Sequence, residues 1–368
     1  MADWYAIANA DSIPSPAVLV YPERIRENLR RMIALAGGAE KLRPHVKTHK
    51  LPQIVRLKLA VGITKFKTST IAESEMTAEA GGQDVLLSYP LVGPNIQRFT
   101  ELIRRFPGTK FSSLIDTPEM LQPLSRMAQQ AGVTLSLYVD LDVGLHRTGI
   151  SPEAEALHLY RELSRTPALA PAGLHAYDGH LKNTDISALK QASDAAFAPV
   201  WQMRETLLAE GIPVPLVIAS GTPTFSLTAA QPGVEVGCGT TVLWDFGQAI
   251  TSPYLDFLNA AVLLTRVVSK PGQNRLCLDL GHKAVASEMT PPRVKLLGLA
   301  EAVPVIHSEE HLVVETPRAN EFQVGDVLYG LPRHICPTMA LHQEVWVVNN
   351  GHATETWSVV ARARKLTI

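Results

Sequence analysis

The chain has 368 residues, of which 46% are apolar and 19% charged, with a formal net charge of -1. That length is too great for one small core and suits two domains of ordinary globular composition. A charge so close to zero gives no bulk attraction to nucleic acid or to an anionic membrane, which excludes both as partners on electrostatic grounds.

In chain order, the opening MADWYAIANADSIPSPAVLV shows no basic leader before an apolar core, so it reads as neither a secretory signal nor a transit peptide. Residues 17–21 read as a strand and 22–35 as a helix, with Pro22 near its start. Next come 42–45 (strand), 51–60 (helix), 65–68 (strand), 71–80 (helix) and 84–88 (strand). Residues 94–105 (helix), 111–115 (strand) and 118–131 (helix) continue the pattern. Further strands are expected at 135–140, 172–176, 216–219 and 234–237, with helices between them. Strand–helix units at this spacing argue for an α/β fold with a parallel sheet. Roughly eight of them between residues 16 and 245 suggest a closed (β/α)8 TIM barrel. An open doubly wound sheet is the rival, but no G-x-G-x-x-G follows the first strand. From 246 to 368 the texture changes. Short β-rich runs at 261–269, 275–280, 312–316, 326–330, 344–349 and 357–363 predict a C-terminal all-β domain. No apolar run reaches the ~20 residues of a membrane span. The cysteines, Cys238, Cys277 and Cys336, are sparse and odd in number, which argues against a disulfide framework. The expectation is a soluble, cytoplasmic protein.

Residues 43–50, Arg-Pro-His-Val-Lys-Thr-His-Lys, crowd lysine and arginine cations and two imidazoles beside an apolar run. Neighbouring cations disfavour the ammonium form of a lysine and make it a usable amine nucleophile toward carbonyls. A solvated basic turn is the plainer alternative. In a barrel, working residues sit at the C-terminal ends of strands, and Lys47 has that address. Other stretches share it. DLDVGLHRTG at 140–149 holds Arg147, and GLHAYDGH at 173–180 holds His175, Tyr177 and His180. His180 is a candidate base, because imidazole titrates near neutrality; His175 is the weaker candidate. SGTPT at 220–224 and EVGCGTT at 235–241 offer backbone amides and hydroxyls at Ser220, Gly221, Thr222, Gly237, Gly239 and Thr240. Such donors suit a phosphate, which barrels commonly bind after strands seven and eight. Each stretch alone is a common turn, and Cys238 reads as a packing residue. In the β-rich part, His334 and Cys336 in an extended segment would project to one face. Imidazole and thiolate suit zinc better than magnesium or calcium, although spacing alone makes a structural pair the plainer reading. His307, His311, His342 and His352 read as surface or structural residues.

RPHVKTHK resembles the pyridoxal phosphate (PLP)-lysine motif of the D-threonine aldolase/D-serine dehydratase family, which shares the alanine racemase-like fold. The later motifs follow in the family's order along nearly the whole chain. The resemblance implies a PLP-binding barrel over residues 16–245 and a β-rich domain over 246–368, which residues 1–15 join. It implies that Lys47 carries PLP, that Arg147 meets the phenolic oxygen and that Tyr177 faces the pyridine nitrogen. It implies a divalent metal, zinc or manganese, on His334 and Cys336. Residues 279–283 also resemble a stretch lining the family's site, and the fold implies a homodimer.

PLP delocalises negative charge developed at the Cα of an amino acid. A metal at a β-oxygen would act as a Lewis acid, favouring either Cα–Cβ cleavage or loss of hydroxide. Both reactions take a small β-hydroxy amino acid, D-configured by the resemblance. The expected reaction is aldolase-like cleavage to glycine and an aldehyde, because Asp178-Gly179-His180 and the short opening resemble that branch. Cys336 as the second metal residue resembles the dehydratases, so a D-serine or 3-hydroxyaspartate dehydratase is the alternative. An amino-acid racemase is more distant: it requires no metal, and no tyrosine stands out as its second base.

Overall fold

The computed structural model describes residues 3–368. The chain forms two compact units, one of residues 31–47, 52–239 and 363–368, the other of 1–30, 48–51 and 240–362. The first part of the chain runs β1 (Ala17–Val20), α1 (Pro22–Ala36), α2 (Pro52–Leu59), β2 (Lys65–Thr68), α3 (Ile71–Glu79), β3 (Asp84–Pro90), α4 (Pro94–Arg105) and β4 (Lys110–Ile115). It continues with α5 (Leu121–Ala131), β5 (Leu135–Leu141), α6 (Ala154–Arg165), β6 (Leu169–Ala176), α7 (Ile186–Ala209), β7 (Val217–Ala219), α8 (Phe225–Thr228) and β8 (Val234–Val236).

Strands β2 to β8 form a seven-stranded parallel sheet in sequential order. Residues 42–45 bind both of its edges. Arg43 N donates to Val236 O and His45 N to Cys238 O, each at 3.0 Å, while Lys67 N donates to Pro44 O at 3.1 Å. The expected second strand is therefore the stave that closes the ring, and Pro44, which has no N–H, keeps it from being a regular strand. The helices pack by their apolar stripes. In α6, Ala156, Leu159, Tyr160 and Leu163 are buried at i, i+3, i+4 and i+7. At the start of α3 the Thr70 hydroxyl accepts from Glu73 N at 3.1 Å, and the Glu73 carboxylate accepts from Ser69 N at 2.6 Å. That reciprocal capping satisfies two otherwise orphaned amides.

Inside the ring, Leu86, Leu114, Tyr138, Ala172 and Ile218 from successive strands make an apolar cluster. Arg43 lies among charges in the same unit. Its guanidinium is buried, donating to Asp84 Oδ1 and to Glu235 Oε2 at 2.6 Å each, and Lys65 also bonds Glu235. Burial alone would lower the guanidinium pKa, but the two carboxylates outweigh it and hold Arg43 charged. Removing one member of a buried ion group leaves its partners uncompensated. Arg43→Met is therefore expected to cost about 3–5 kcal/mol in chemical denaturation, and a loss under about 1 kcal/mol would contradict a structural role for this ion group.

The other unit holds α9 (Phe246–Thr251), β9 (Ala261–Ser269), β10 (Arg275–Leu278), β11 (Val294–Leu296), β12 (Val303–His307), β13 (Leu312–Glu315), β14 (Val327–Pro332), α10 (Ile335–Leu341), β15 (Glu344–Asn349) and β16 (His352–Ser358). Its nine-stranded sheet runs β12-β13-β10-β9-β1-β15-β16, with β14 also on β9 and β11 on β14. This corrects one expectation. Residues 17–21 were expected as a barrel strand, but β1 pairs antiparallel with β9 and parallel with β15. The reason is its sequence: Ala17, Leu19 and Tyr21 face a core of Ile7, Ile13, Val262, Leu264 and Leu331, and Val18 and Val20 are buried too. A strand apolar on both faces fits the middle of any sheet, so its own pattern could not assign it to one. The Asn28 side chain of α1 donates to Leu258 O at 2.7 Å and accepts from Leu258 N at 2.8 Å. Among the described residues no helix is long and apolar enough to cross a membrane.

Candidate active site

In the barrel unit the expected residues follow the C-terminal ends of the staves. Lys47 lies in the short turn Val46–Thr48 after the closing stave, Arg147 after β5, and Tyr177 and His180 after β6. Ser220 to Thr222 follow β7, and Gly237 and Gly239 follow β8. The Tyr177 ring is the common neighbour. Lys47 Nζ stands 6.0 Å from its centroid, Lys67 Nζ 5.9 Å and Arg147 Cζ 5.0 Å. Two glycines keep space around that ring. A Cβ on Gly179 would come within 2.4 Å of it and one on Gly221 within 3.0 Å. His180 has a buried Nδ1 with no hydrogen-bond partner among the described residues. Gly144, at φ +113°, approaches it so closely that a Cβ there would sit 3.0 Å from His180 Nε2.

Asp178 ties this loop to the next one. Its carboxylate accepts from Gly221 N at 2.7 Å and from the Thr224 hydroxyl at 2.5 Å, and burial raises its pKa. Ser220, at φ +66°, donates its hydroxyl to Ala219 O at 2.8 Å and accepts from Thr228 at 3.0 Å. The loops after β7 and β8 meet where Gly239 N donates to Thr222 Oγ1 at 3.4 Å. Lys67 escaped the sequence reading, although a second lysine inside the short strand Lys-Phe-Lys-Thr was a usable signal. It lies in β2 at 3% exposure and donates to His175 Nε2 at 2.8 Å. His175 in turn donates from Nδ1 to Asp140 Oδ1 at 2.6 Å. Burial and the charge of Lys67 lower the His175 pKa and keep the ring neutral, whereas His175, Thr148 and Lys67 overcome burial to hold Asp140 ionised.

The second cluster belongs to the other unit and carries His334 and Cys336. The segment is not extended throughout, as the sequence reading had it. His334 is the extended residue (φ -136°) that begins α10, and Cys336 is in the helix's first turn. The pair still meets. Burial acts to lower His334, but Cys336 and Glu288 raise its imidazole to about 9, while the same imidazole draws the buried Cys336 thiol down. His334 Nδ1 donates to Glu288 Oε1 at 2.5 Å, which orients the ring beside Cys336. Cys336 Sγ lies 3.3 Å from the hydroxyl of Thr48, the residue after Lys47 in the chain. Thr240 Oγ1 lies 3.7 Å from the same sulfur. Asp245 caps α9 through Gln248 N at 2.7 Å and accepts from Ile335 N at 2.9 Å, so it fixes the segment bearing the pair. Among the described residues no group of three or more His, Cys, Asp or Glu is placed to hold a metal ion. Asp279, from the stretch 279–283, is committed to Thr265, Arg266 N and Ser15.

A family described as alanine racemase, N-terminal domain, matches residues 20–242, and a putative serine dehydratase domain matches 260–348. The chain is 30% identical to a D-threonine aldolase of Arthrobacter sp, over 95% of this chain and 93% of the relative. It is 24% identical to a D-threo-3-hydroxyaspartate dehydratase of Delftia sp. (strain HT23), over 94% and 97% of the two chains. The crystal structure of a D-threonine aldolase from Filomicrobium marinum superposes with a TM-score of 0.90 at 24% identity, over 97% and 98% of the chains. At that identity the structural likeness speaks for the fold.

Proposed function

We propose a reaction for this chain from one premise: it belongs to the D-threonine aldolase/D-serine dehydratase family, built on an alanine racemase-like barrel. It is a PLP-dependent lyase acting on small β-hydroxy-D-amino acids, and it cleaves Cα–Cβ to give glycine and an aldehyde. The observation that carries this reading is the convergence of Lys47 and Arg147 on the Tyr177 ring, in space that Gly179 and Gly221 hold open. A flat, anionic cofactor fits that cluster: it offers an amine, a fixed cation, a neutral phenol and a cradle that a Cβ would fill.

When bound through Lys47, PLP supplies a sink for charge developed at Cα. The rest is done by the chain. Arg147 would hold the cofactor's phenolic oxygen and favour its ionised form. Tyr177 would stand on the side of the pyridine nitrogen and offer it a hydroxyl rather than a charge. Ser220, Gly221, Thr222, Gly237, Gly239 and Thr240 are the residues proposed for the phosphate, and Asp178 fixes their first loop. His180, with its partnerless Nδ1, takes the β-hydroxyl proton. The donor set of His334 and Cys336 fits a divalent metal, zinc or manganese, since Glu288 holds the imidazole through Nδ1 and His334 favours the thiolate. That metal would supply a Lewis acid to the β-oxygen. We also read the protein as a cytoplasmic homodimer. Kinship of fold supports the dimer, and thiols outside any disulfide support a reducing compartment.

Cys336 and the serine dehydratase match favour a second reading, β-elimination from D-serine or 3-hydroxyaspartate. The test is product analysis with D-threonine, D-serine and their L-enantiomers. Glycine with acetaldehyde from D-threonine supports the aldolase. An oxo acid with ammonia transfers the case to the dehydratase, and racemised amino acid alone defeats both.

A further inference from the structure

Lys67 lies buried beside His175 and the Tyr177 ring and has no role in the proposed reaction. The barrel gives it room, because a Cβ on Gly237 would lie 2.8 Å from Lys67 Cδ and 3.0 Å from its Nζ. The ammonium end therefore reaches the loop after β8. Its surroundings hold more cations than they neutralise. Lys47, Arg43 and Arg147 act on it as like charges, and Asp140 is the opposing carboxylate. His175 and Tyr177 face it as neutral rings. Arg43 is matched by Asp84 and Glu235. Among the charges acting on Lys67, Asp140 is the carboxylate set against Lys47 and Arg147. Burial first, then Lys47, Arg43 and Arg147, outweigh Asp140 and lower the Lys67 amine to about 7. Burying an amine in a cationic cluster is costly unless an anion completes it.

From this arrangement we infer that Lys67 is a binding residue for an anionic oxygen of the cofactor, acquiring its charge as the cofactor enters. The inference rests on the PLP reading. The anion supplies counter-charge to the cationic cluster, so the amine binds a proton and keeps its N–H to His175. Asp140, held by Thr148 at 3.0 Å, fixes the tautomer of His175 that accepts this bond. The oxygen belongs to the phosphate or to the ring, and the same experiment separates the two.

The sign follows from linkage. At pH 6 Lys67 is charged with or without cofactor and contributes no proton uptake. At pH 8 it is mostly neutral in the free protein and charged in the complex, so up to one proton enters with the cofactor. The experiment is calorimetric titration of the intact cofactor-free protein with PLP at pH 6 and 8, in buffers of different ionisation enthalpy, for wild type, Lys67→Met and Lys67→Gln. Wild type should take up more protons at pH 8 than either variant, and the variants should bind PLP roughly tenfold to a hundredfold more weakly at pH 7. Pyridoxal without phosphate identifies the oxygen: a lost difference points to the phosphate and a retained one to the ring oxygen. Equal proton uptake by wild type and variants at pH 8 overturns the inference, as does a difference between wild type and variants that is the same at pH 6 and 8. A wild type that binds no PLP would defeat the proposed function itself, a distinguishable result.

Discussion

Lys47→Ala is expected to lower lyase activity by roughly 10⁴-fold or more and to remove the visible band of bound cofactor. The amine is the one covalent anchor in the proposed site, and no neighbour replaces it. Lys67 is engaged with His175 in the core of the barrel. The substitution should spare the fold. Lys47 is half-buried in a one-turn helix, and its hydrogen bond to His45 Nδ1 runs from the backbone N at 3.3 Å, which alanine retains. The thermal midpoint should therefore stay within a few degrees, about what a surface change of ±0.5 kcal/mol produces. Substantial activity with an unchanged spectrum would remove Lys47 from the mechanism.

His334→Ala should cost roughly 10²- to 10³-fold in kcat/KM, and chelator-treated wild type should fall to the same level. Two effects act together. The imidazole donor is lost, and without His334 burial governs Cys336, returning its thiol to the protonated form that binds metal poorly. Adding zinc or manganese should restore the chelated wild type and leave His334→Ala low. Glu288→Gln is expected to be milder, weakening metal affinity about 10- to 100-fold, because it alters only the hydrogen bond at His334 Nδ1. Metal content by mass spectrometry, read beside activity, checks all three. Chelation without effect would place His334 and Cys336 outside the chemistry.

The barrel was legible because strand–helix units recur, the staves at 42–45 and β5 to β8 end in chemically distinctive stretches, and helices such as α6 carry a stripe of period 3.6. Residues 65–68, 94–105, 261–269 and 344–349 have the limits the sequence suggested. Two assignments were mistaken: β1, whose both-face burial fits either sheet and whose partners lie more than 200 residues away, and residues 357–363, where the strand lies earlier, at His352–Ser358, and a short helical turn, Val360–Arg362, follows. Strands β11 and β12 were missed. The first, Val294–Leu296, alternates but over only three residues, and the second, Val303–His307, is an edge strand with Val303 and Ile306 exposed and no clear alternation. In the proposed site, the loops bearing Lys47, Arg147, Tyr177 and His180 were readable, and Lys47 and Arg147 do lie around the Tyr177 ring. Lys67, Asp178 and Glu288 were not. Each acts through a partner distant in the chain (His175, Gly221 and His334), and only the fold makes those pairs. The spacing of His334 and Cys336 was a sound signal for the wrong geometry, because a helix start can unite residues two apart as a strand face does.

The central claim is that Lys47 holds PLP in this barrel. Its most direct test is to load the protein with PLP, reduce with borohydride, digest, and locate the added mass by peptide mapping. The account predicts stoichiometric label on Lys47, within residues 43–50. Label on Lys67 instead, or none after full loading, would contradict it.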